Sequence, residues 1–369
     1  MILPDALLNW RDRIVMNAGF QRFTTRFPIF RSVSRHQSQA LFDLCAGFVY
    51  TQILTACVEL GLLEHLAKGP RSTAELAPLL GLNEAATERL LKACTALGLC
   101  SLRQGNRYGL GMRGAALLGN PGVTSMIQHH RLLYRDLHDP VALLRGEAGT
   151  TNLKAFWPYV DSLRPEGEAT VGAYSQLMAR SLSFLVDDVL AAYAFAAHRH
   201  MLDVGGGSGE FVIRVAAVAP ALRFSILDLP AVAETANQRL KEHGLAERAV
   251  AIGGNAITGP LPSDADLVTL IRVLHDHDDD DALAFLATIH AGLLPGGTLL
   301  IAEPMAGLRG AERVADAYFG FYLLAMGSGR ARSPQEITGM LQRTGFGQIK
   351  QVATPRPNIV SMITARRAA

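Results

Sequence analysis

The feature that most constrains the fold of this chain is a hydrophobic run that contains an acid and is followed by a glycine turn. The run is Met201 to Val204, it includes Asp203, and the turn is Gly205 to Gly209. A short apolar run predicts a buried strand. Glycines directly after it let the backbone turn sharply and approach a ligand closely. The segment therefore predicts a cofactor-binding loop at the end of a buried strand, and a structural turn is the alternative.

The spacing of the glycines distinguishes between cofactors. A dinucleotide loop of the G-x-G-x-x-G type would place its third glycine at Glu210, where a pyrophosphate meets a helix N-terminus. A carboxylate there would repel the pyrophosphate, whereas Asp203 followed by G-x-G-x-G suits S-adenosylmethionine, a sulfonium without phosphate. The next strand ends in Asp228, which can accept hydrogen bonds from both ribose hydroxyls. We therefore expect this methyl donor to be held by Asp203, Gly205, Gly207, Gly209 and Asp228.

Composition limits the class of protein. With 369 residues, 49% of them hydrophobic, the chain can form one large domain and a smaller one, and its formal charge of +2 gives no general attraction for nucleic acid. The cysteines form no CxxC pair, which favours reduced, buried thiols in a cytoplasmic protein over disulfides or zinc. They are Cys45, Cys57, Cys94 and Cys100. Charges interrupt the N-terminus, so we expect no signal peptide, and we expect no run long enough to span a bilayer.

The first 38 residues form a basic, aromatic arm. Arginines alternate with phenylalanines from Arg11 to Arg35, with Asp12 as the one acid in that range. Such a segment can lie on an anionic membrane surface or pack in a dimer, and the segment alone favours neither interpretation.

A helix-turn-helix-wing pattern follows the arm. Helical periodicity runs from Leu41 to about Gly69, and Ser72 and Asn83 are predicted to cap the next two helices. Residues 101–103 and 107–110 predict a short hairpin, or wing. The charges of the ionic residues in the second helix cancel, which leaves little attraction for DNA phosphates. The pattern therefore favours a winged helix that dimerises and covers a substrate pocket, rather than one that binds DNA.

From His200 onwards, strands and helices alternate. Strands are predicted at 201–204, 224–228, 249–252, 266–271 and 298–303, with residues 348–353 and 358–364 as an antiparallel hairpin at the sheet edge. The predicted fold class is therefore α/β, a Rossmann-like methyltransferase sheet behind a mostly helical winged-helix domain.

A histidine follows the fourth strand of this sheet. His275 lies beyond the strand's carboxyl end, where ligands bind in open α/β sheets, and we expect it to be the general base that activates an alcohol. Glu303 ends the fifth strand and is expected to orient the imidazole, with capping of the next loop as the alternative. Asp278 to Asp281 are expected to cap a helix, because consecutive residues rarely converge on one metal ion, and we expect no metal site.

These motifs together resemble the plant- and bacterial-type O-methyltransferases over nearly the whole chain. In that family the D-V-G-G-G-x-G loop binds the donor, the acid of the second strand holds the ribose, and H-D-W-D-D carries the catalytic histidine, here in His275 to Asp279. The resemblance implies a homodimer. It also implies further donor contacts from Ser181, Leu229, Gly254, Asn255, Ala256 and Arg272.

The chain departs from the family pattern at three places. The G-D-M-F segment that touches adenine reads Gly254 to Ile257, a substrate-clamping methionine is replaced by Leu177 beside Met178, and a second glutamate near the histidine is replaced by Ala331. Support for a phenolic acceptor is therefore weaker than support for methyl transfer itself. Residues expected near the acceptor are Leu177, Met178, His130, Tyr134, Phe319 and Tyr322.

The N-terminal half most resembles the carotenoid O-methyltransferases of purple photosynthetic bacteria, the demethylspheroidene and hydroxyneurosporene enzymes. Residues 40–50, 129–134 and 139–146 carry this likeness. It implies methylation of a tertiary hydroxyl on a long polyene by a cytoplasmic or membrane-peripheral enzyme. The alternatives are a phenolic polyketide, quinone or bacteriochlorophyll precursor as acceptor, or a regulator that binds the donor without catalysis.

The expected domains follow from this resemblance. They are an arm (1–38), a winged-helix-like dimerisation domain (39–120), a helical pocket region (121–197) and the donor-binding methyltransferase domain (198–369).

Overall fold

The structure is a computed structural model that describes residues 4–156, 182, 185–257, 259–262 and 264–368. These residues divide into two compact units, Met1–Leu118 and Gly119–Ala369.

The N-terminal unit is mostly helical and carries the predicted wing. Its elements are α1 (Asp5–Met16), α2 (Ala18–Arg26), α3 (Pro28–Glu59), α4 (Leu62–Ala67), α5 (Thr73–Leu80), α6 (Glu84–Ala96), β1 (Cys100–Arg103), β2 (Arg107–Leu110) and α7 (Met112–Leu118). Both predicted caps are confirmed: Ser72 and Glu75 form a reciprocal capping box on α5, and the Asn83 side chain accepts from the Ala86 amide of α6 at 2.8 Å. β1 and β2 pair antiparallel, which confirms the hairpin.

Helix α3 differs from the sequence prediction in two respects. It begins at Pro28 and runs unbroken across residue 38, the expected end of the arm. By length and composition alone it could cross a membrane, with a mean hydropathy of 1.6 over a window that is 11% buried, so the expectation that no run is long enough was wrong. Cys45 lies exposed on this helix, which also corrects the expectation of four buried thiols, whereas Cys57, Cys94 and Cys100 are buried.

The second unit contains the sheet. Its helices are α8 (Pro121–Asp136), α9 (Pro140–Leu144), α10 (Asn152–Phe156), α11 (Glu210–Val218), α12 (Pro230–Glu242), α13 (Asp279–Gly292), α14 (Gly320–Met326) and α15 (Pro334–Arg343). Residues 185–192 are also helical, and a π-helical segment, Arg313–Phe319, leads into α14. Its strands are β3 (His200–Val204), β4 (Arg223–Asp228), β5 (Ala249–Gly253), β6 (Leu267–Ile271), β7 (Thr298–Glu303), β8 (Phe346–Val352) and β9 (Ser361–Arg367).

Among the described residues, these strands form one seven-stranded sheet in the order β5-β4-β3-β6-β7-β9-β8. The first five strands are parallel to one another, and β9 pairs antiparallel with both β7 and β8. This confirms the predicted doubly wound sheet with an edge hairpin. β9 begins three residues later than predicted because 358–360 belong to the connection.

The strand order reverses between β3 and β6, which are direct neighbours. The crevice beyond the carboxyl ends of such a pair is where open α/β sheets bind ligands. The glycine turn leaves β3 here and the His275 loop leaves β6, so the topology brings the two predicted motifs to one crevice.

Candidate active site

The glycine turn after β3 takes a backbone conformation that strongly favours glycine. Gly205, Gly207 and Gly209 have φ of +69°, +56° and +80°. A Cβ on Gly206 would lie 2.6 Å from Oδ2 of Asp203, so this position also requires glycine. The turn therefore presents bare backbone to the crevice.

Asp203 supports this turn from below. Its carboxylate is buried, Oδ1 accepts a hydrogen bond from the Thr269 hydroxyl at 2.6 Å, and Oδ2 has no hydrogen-bond partner among the described residues. Burial, partly offset by that hydrogen bond, raises the pKa of Asp203 to about 7. A buried acceptor without a donor is costly, so this oxygen fits a site that a ligand completes. The residues present thus fit the cationic donor.

Asp228 ties the turn to the neighbouring strand. Oδ2 accepts from the Gly207 amide at 2.8 Å, and Oδ1 accepts from the Leu229 amide at 2.7 Å. The carbonyl of Asp228 also accepts from the Gly254 amide at 2.9 Å. One residue thereby links the glycine turn with the segment expected to touch adenine.

Glu210 does not act as the sequence argument assumed. Its Oε2 forms an ion pair with Arg239 at 2.7 Å, and the same guanidinium donates to the Ser208 hydroxyl at 2.6 Å. The charge of Glu210 is therefore balanced, and its expected repulsion of a pyrophosphate is weakened. The case for a sulfonium donor depends on Asp203 and Asp228 instead.

Two other residues that we expect to contact the donor follow β5 and β6. The Asn255 side chain accepts from the Ile257 amide at 2.8 Å and shapes the turn after β5. Arg272 follows β6 with φ of +58°, and its guanidinium carbon lies 6.0 Å from the centre of the Phe319 ring. Ser181, Leu177 and Met178 lie outside the described residues.

His275 is buried in a 3₁₀ turn directly after β6. Its Nε2 lies 3.2 Å from Oδ1 of Asp276, and the ring centre lies 5.3 Å from that of Phe319. Nδ1 has no hydrogen-bond partner among the described residues. Burial, helped by the nearby Arg272 and Arg332 cations, holds the pKa of His275 well below its usual value. The imidazole is therefore neutral near pH 7 and able to accept a proton.

Glu303 contacts His275 differently from the prediction. Its Oε2 accepts from the backbone amide of His275 at 3.1 Å, and the ring's carboxylate neighbour is Asp276. Burial raises the pKa of Glu303 to about 8 and that of Asp276 to about 7. Sequence reasoning missed Asp276 as the group beside the ring, although its place next to the histidine was a usable signal.

The other side chains of the His275 loop diverge from one another. The His277 ring stacks on Phe285 with centres 5.4 Å apart, and Asp278 accepts from the Gly329 amide. Asp279 pairs with Arg330 and Arg332. In the part of the chain that the structure describes, no three His, Cys, Asp or Glu side chains converge in a way that would hold a metal ion.

An aromatic wall stands beside His275. Phe319 ends the π-helical segment and faces the imidazole, and such segments are frequent at functional sites. Tyr318 and Tyr322 form hydrogen bonds with His130 and His129 of α8, each at 2.8 Å. Burial lowers the pKa of both histidines, so these bonds join neutral groups.

The remaining predicted acceptor residues belong partly to this wall. Tyr322 lies in a buried cluster with Leu323 and residues of α8 to α10, which agrees with the alternative that residues 319–324 serve as helix core. Tyr134 is half-buried one turn beyond His130 on α8. Of this set, Phe319 makes the ring contact with His275.

Comparison with known proteins decides the family. Residues 134–347 match an O-methyltransferase domain, and residues 42–120 match an O-methyltransferase dimerisation domain. The chain belongs to the O-methyltransferase family. The enzyme uses S-adenosylmethionine, and the dimerisation domain supports a homodimer.

Relatives cover nearly the full length of the enzyme. It is 40% identical to the demethylspheroidene O-methyltransferase of Cereibacter sphaeroides over 96% of this chain and 94% of that protein. The Rhodobacter capsulatus protein of the same name is 40% identical over 98% of this chain and 90% of its own. Human N-acetylserotonin methyltransferase, solved with S-adenosylmethionine, superimposes with a TM-score of 0.74 and 25% identity, covering 90% of this chain and 98% of its own.

Proposed function

We propose that this enzyme methylates the tertiary hydroxyl of a hydroxylated carotenoid, with His275 as general base. The observation that carries the mechanism is a buried, neutral imidazole with an unpartnered nitrogen, held at the crevice that the glycine turn also borders. The two demethylspheroidene O-methyltransferases, each 40% identical over most of their length, support the acceptor.

The geometry assigns a task to each nitrogen of the imidazole. Burial raises the pKa of Asp276 to about 7, so above that pH its carboxylate accepts a hydrogen from Nε2 and Nδ1 is left to accept a proton. The donor, when bound, supplies an electrophilic methyl group. Nδ1 of His275 would take the proton of the acceptor hydroxyl, whose oxygen could then receive that methyl group. A tertiary alcohol is a much weaker acid than a phenol, so this base matters more here.

The donor contacts form part of the same proposal. We assign the methionine end of the donor to Asp203 and the glycine turn, and the ribose to Asp228. Leu229, Gly254, Asn255 and Ala256 would surround the adenine side, with Arg272 and Ser181 as further contacts. The hydrogen bonds from Gly207 and Leu229 to Asp228 support this, because they hold the turn and the strand end in one piece.

We assign the acceptor side to the aromatic wall. Phe319 lies against the imidazole, and Tyr322, His130 and Tyr134 extend the surface along α14 and α8. Each Tyr–His bond pairs a tyrosine hydroxyl with an imidazole Nε2, which lowers the cost of placing these groups beside a polyene. Leu177 and Met178 remain candidates for the opposite side of the acceptor.

A competition assay tests the acceptor. Enzyme with labelled S-adenosylmethionine is offered a tertiary-hydroxyl carotenoid in detergent together with simple phenols and a hydroxynaphthoate. We expect label to enter the carotenoid, because two relatives of 40% identity are demethylspheroidene O-methyltransferases and the aromatic wall offers an apolar surface to a polyene. Label in the phenols alone would support the phenolic alternative and contradict the proposed acceptor.

We also propose that the enzyme works at the cytoplasmic face of a membrane and that α1, α2 and the start of α3 contact it. Phe23, Phe27 and Phe30 are each 44% to 49% exposed, yet they pack together with ring centres 5.0 to 6.3 Å apart. An exposed aromatic cluster suits a lipid interface.

The charge of these helices favours anionic lipid. The chain has no acidic residue between Asp12 and Asp43, while five arginines occur there. A cleft of about 680 Å³ between α2 and α3 is lined by Arg31, Arg35 and hydroxyl or amide side chains, a set that can bind a lipid phosphate. The match to the dimerisation domain begins at residue 42, beyond this cluster.

Co-sedimentation with vesicles tests this surface. Arg31→Gln/Arg35→Gln should weaken binding to vesicles containing anionic lipid by roughly 10-fold or more, at about 1 kcal/mol per arginine, and Phe23→Ser/Phe27→Ser should weaken it further. Arg343→Gln, an exposed arginine of α15, is the matched control. Vesicle binding that the arm variants leave unchanged, together with a loss of dimer mass, would make the arm a dimer element instead.

A further inference from the structure

Arg332 is a charged side chain beside the site, and it has no exposed surface. It precedes α15, and its guanidinium donates four hydrogen bonds. Nη1 donates to the Leu274 carbonyl at 2.9 Å, Nη2 donates to the His277 carbonyl at 2.7 Å, and both Nε and Nη2 donate to Oδ1 of Asp279. These bonds bracket His275 from both sides along the chain.

Neighbours of Arg332 hold the same loop. The Ser328 hydroxyl donates to the Asp276 carbonyl at 2.9 Å, and the Gly329 amide donates to Oδ1 of Asp278 at 2.8 Å. Gly329 has φ of +79°, and a Cβ there would lie 2.2 Å from the His275 carbonyl oxygen. Ser328, Gly329 and Arg332 therefore contact the loop along residues 274–279.

Glu303 completes the arrangement from the other side. It accepts the His275 amide hydrogen, whereas segment 328–332 supplies donors for the flanking carbonyls. The backbone of His275 is therefore fixed between strand β7 and the segment before α15. A side chain on a backbone held in this way keeps its position relative to the crevice.

We propose that Arg332 is a positioning residue for the general base, fixing the His275 loop through the Leu274 and His277 carbonyls. The inference rests on the proposed role of His275. Burying a guanidinium is costly unless it is fully hydrogen-bonded, and this one directs its hydrogen bonds to a single loop. A bulky apolar residue would fill the space without holding the carbonyls.

The cation has a second effect on the imidazole. The charged or titratable groups around His275 are Arg272, Asp276, His277, Glu303 and Arg332. Arg332 disfavours the imidazolium form, so it lowers the pKa of His275, and its removal should raise that pKa. Activity that needs the neutral base would then be lost at a higher pH than in the wild type.

Two substitutions in the full-length enzyme separate geometry from charge. Arg332→Gln removes both the guanidinium hydrogen bonds and the positive charge. We expect kcat to fall about 10²-fold and the KM for the acceptor to change little. We also expect the acidic limb of the pH profile of kcat/KM to shift to higher pH. Arg332→Lys keeps the cation, so it should lower kcat less and leave that limb in place. Thermal unfolding and calorimetric binding of S-adenosylmethionine report whether each variant is folded.

Arg330→Gln is the matched control. Arg330 also pairs with Asp279, but its side chain is 44% exposed and it donates to the carboxylates of Asp279 and Glu336. A folded Arg332→Gln variant that behaves like Arg330→Gln, with wild-type kcat and pH profile, would overturn the inference.

Should Arg332→Gln fail to fold, Gly329→Ala decides. The added methyl group displaces the His275 carbonyl but leaves the Arg332 cation in place. We therefore expect kcat to fall while the acidic limb of the pH profile stays unchanged. A wild-type kcat would overturn the inference. His275→Ala is assayed alongside. Full turnover in His275→Ala would refute the role of His275 as general base. If His275→Ala is inactive but the Arg332 and Gly329 variants are fully active, only the positioning role of Arg332 is refuted.

Discussion

Replacing His275 with alanine should reduce methyl transfer by about 10²- to 10⁴-fold, the usual contribution of a positioned general base. The acceptor is then an un-ionised tertiary alcohol without a group to take its proton. Binding of S-adenosylmethionine should stay within a few-fold of wild type, because His275 is not among the proposed donor contacts and most of these lie at the ends of β3, β4 and β5. Single-turnover transfer and calorimetry measure the two effects separately.

The pH profile of the wild type adds a check on His275. Burial holds the pKa of this imidazole below the usual value of about 6.5. The imidazole itself should therefore stay neutral as the pH falls through 6.5, and a decline of the rate near pH 7 is expected from protonation of Asp276, whose pKa burial raises to about 7. His243→Ala, which removes an exposed imidazole at the end of α12, should leave both rate and profile unchanged. A wild-type rate in His275→Ala would exclude this residue from the mechanism.

Replacing Asp228 with alanine should weaken donor binding by roughly 10- to 100-fold, since a hydrogen bond to a charged group contributes about 1.5–3 kcal/mol. The substitution removes the proposed ribose acceptor. It also leaves the amides of Gly207 and Leu229 without the acceptors that order the turn. Calorimetric titration with S-adenosylmethionine measures the loss.

Two variants make the Asp228 result specific. Asp228→Asn keeps one acceptor for a backbone amide, so its loss of affinity should be smaller. Glu242→Gln, which neutralises an exposed carboxylate at the end of α12, should bind the donor normally. Normal donor binding by Asp228→Ala would contradict the assigned position of the ribose.

The local features of the fold could be predicted because each has its own physical signature. Ser72 with Glu75 predicted a capping box, and Gln104 to Asn106 between short strands predicted the wing. The apolar runs ending at Val204 and Ile271 predicted parallel strands. Because parallel strands end at the same edge of a sheet, the sequence predicted that His275 and the glycine turn would lie at one crevice.

Contacts between distant side chains could not be predicted in this way. The partner of Glu210 is Arg239, 29 residues later, and no periodicity links the two. Arg332 lies 55 residues after the His277 carbonyl that it binds, in a segment that reads as an ordinary polar loop. Glu303 binds the backbone amide of His275 and not its ring, because the turn after β6 directs that amide toward β7.

The most direct test of the central claim is a single-turnover reaction of the purified enzyme with labelled S-adenosylmethionine and a tertiary-hydroxyl carotenoid presented in lipid vesicles. The product is analysed by mass for one added methyl group on oxygen. We predict a labelled methyl ether with the wild type and almost none with His275→Ala. An unmodified carotenoid with active, donor-bound wild-type enzyme would contradict the proposed acceptor, and equal product from both proteins would contradict the proposed base.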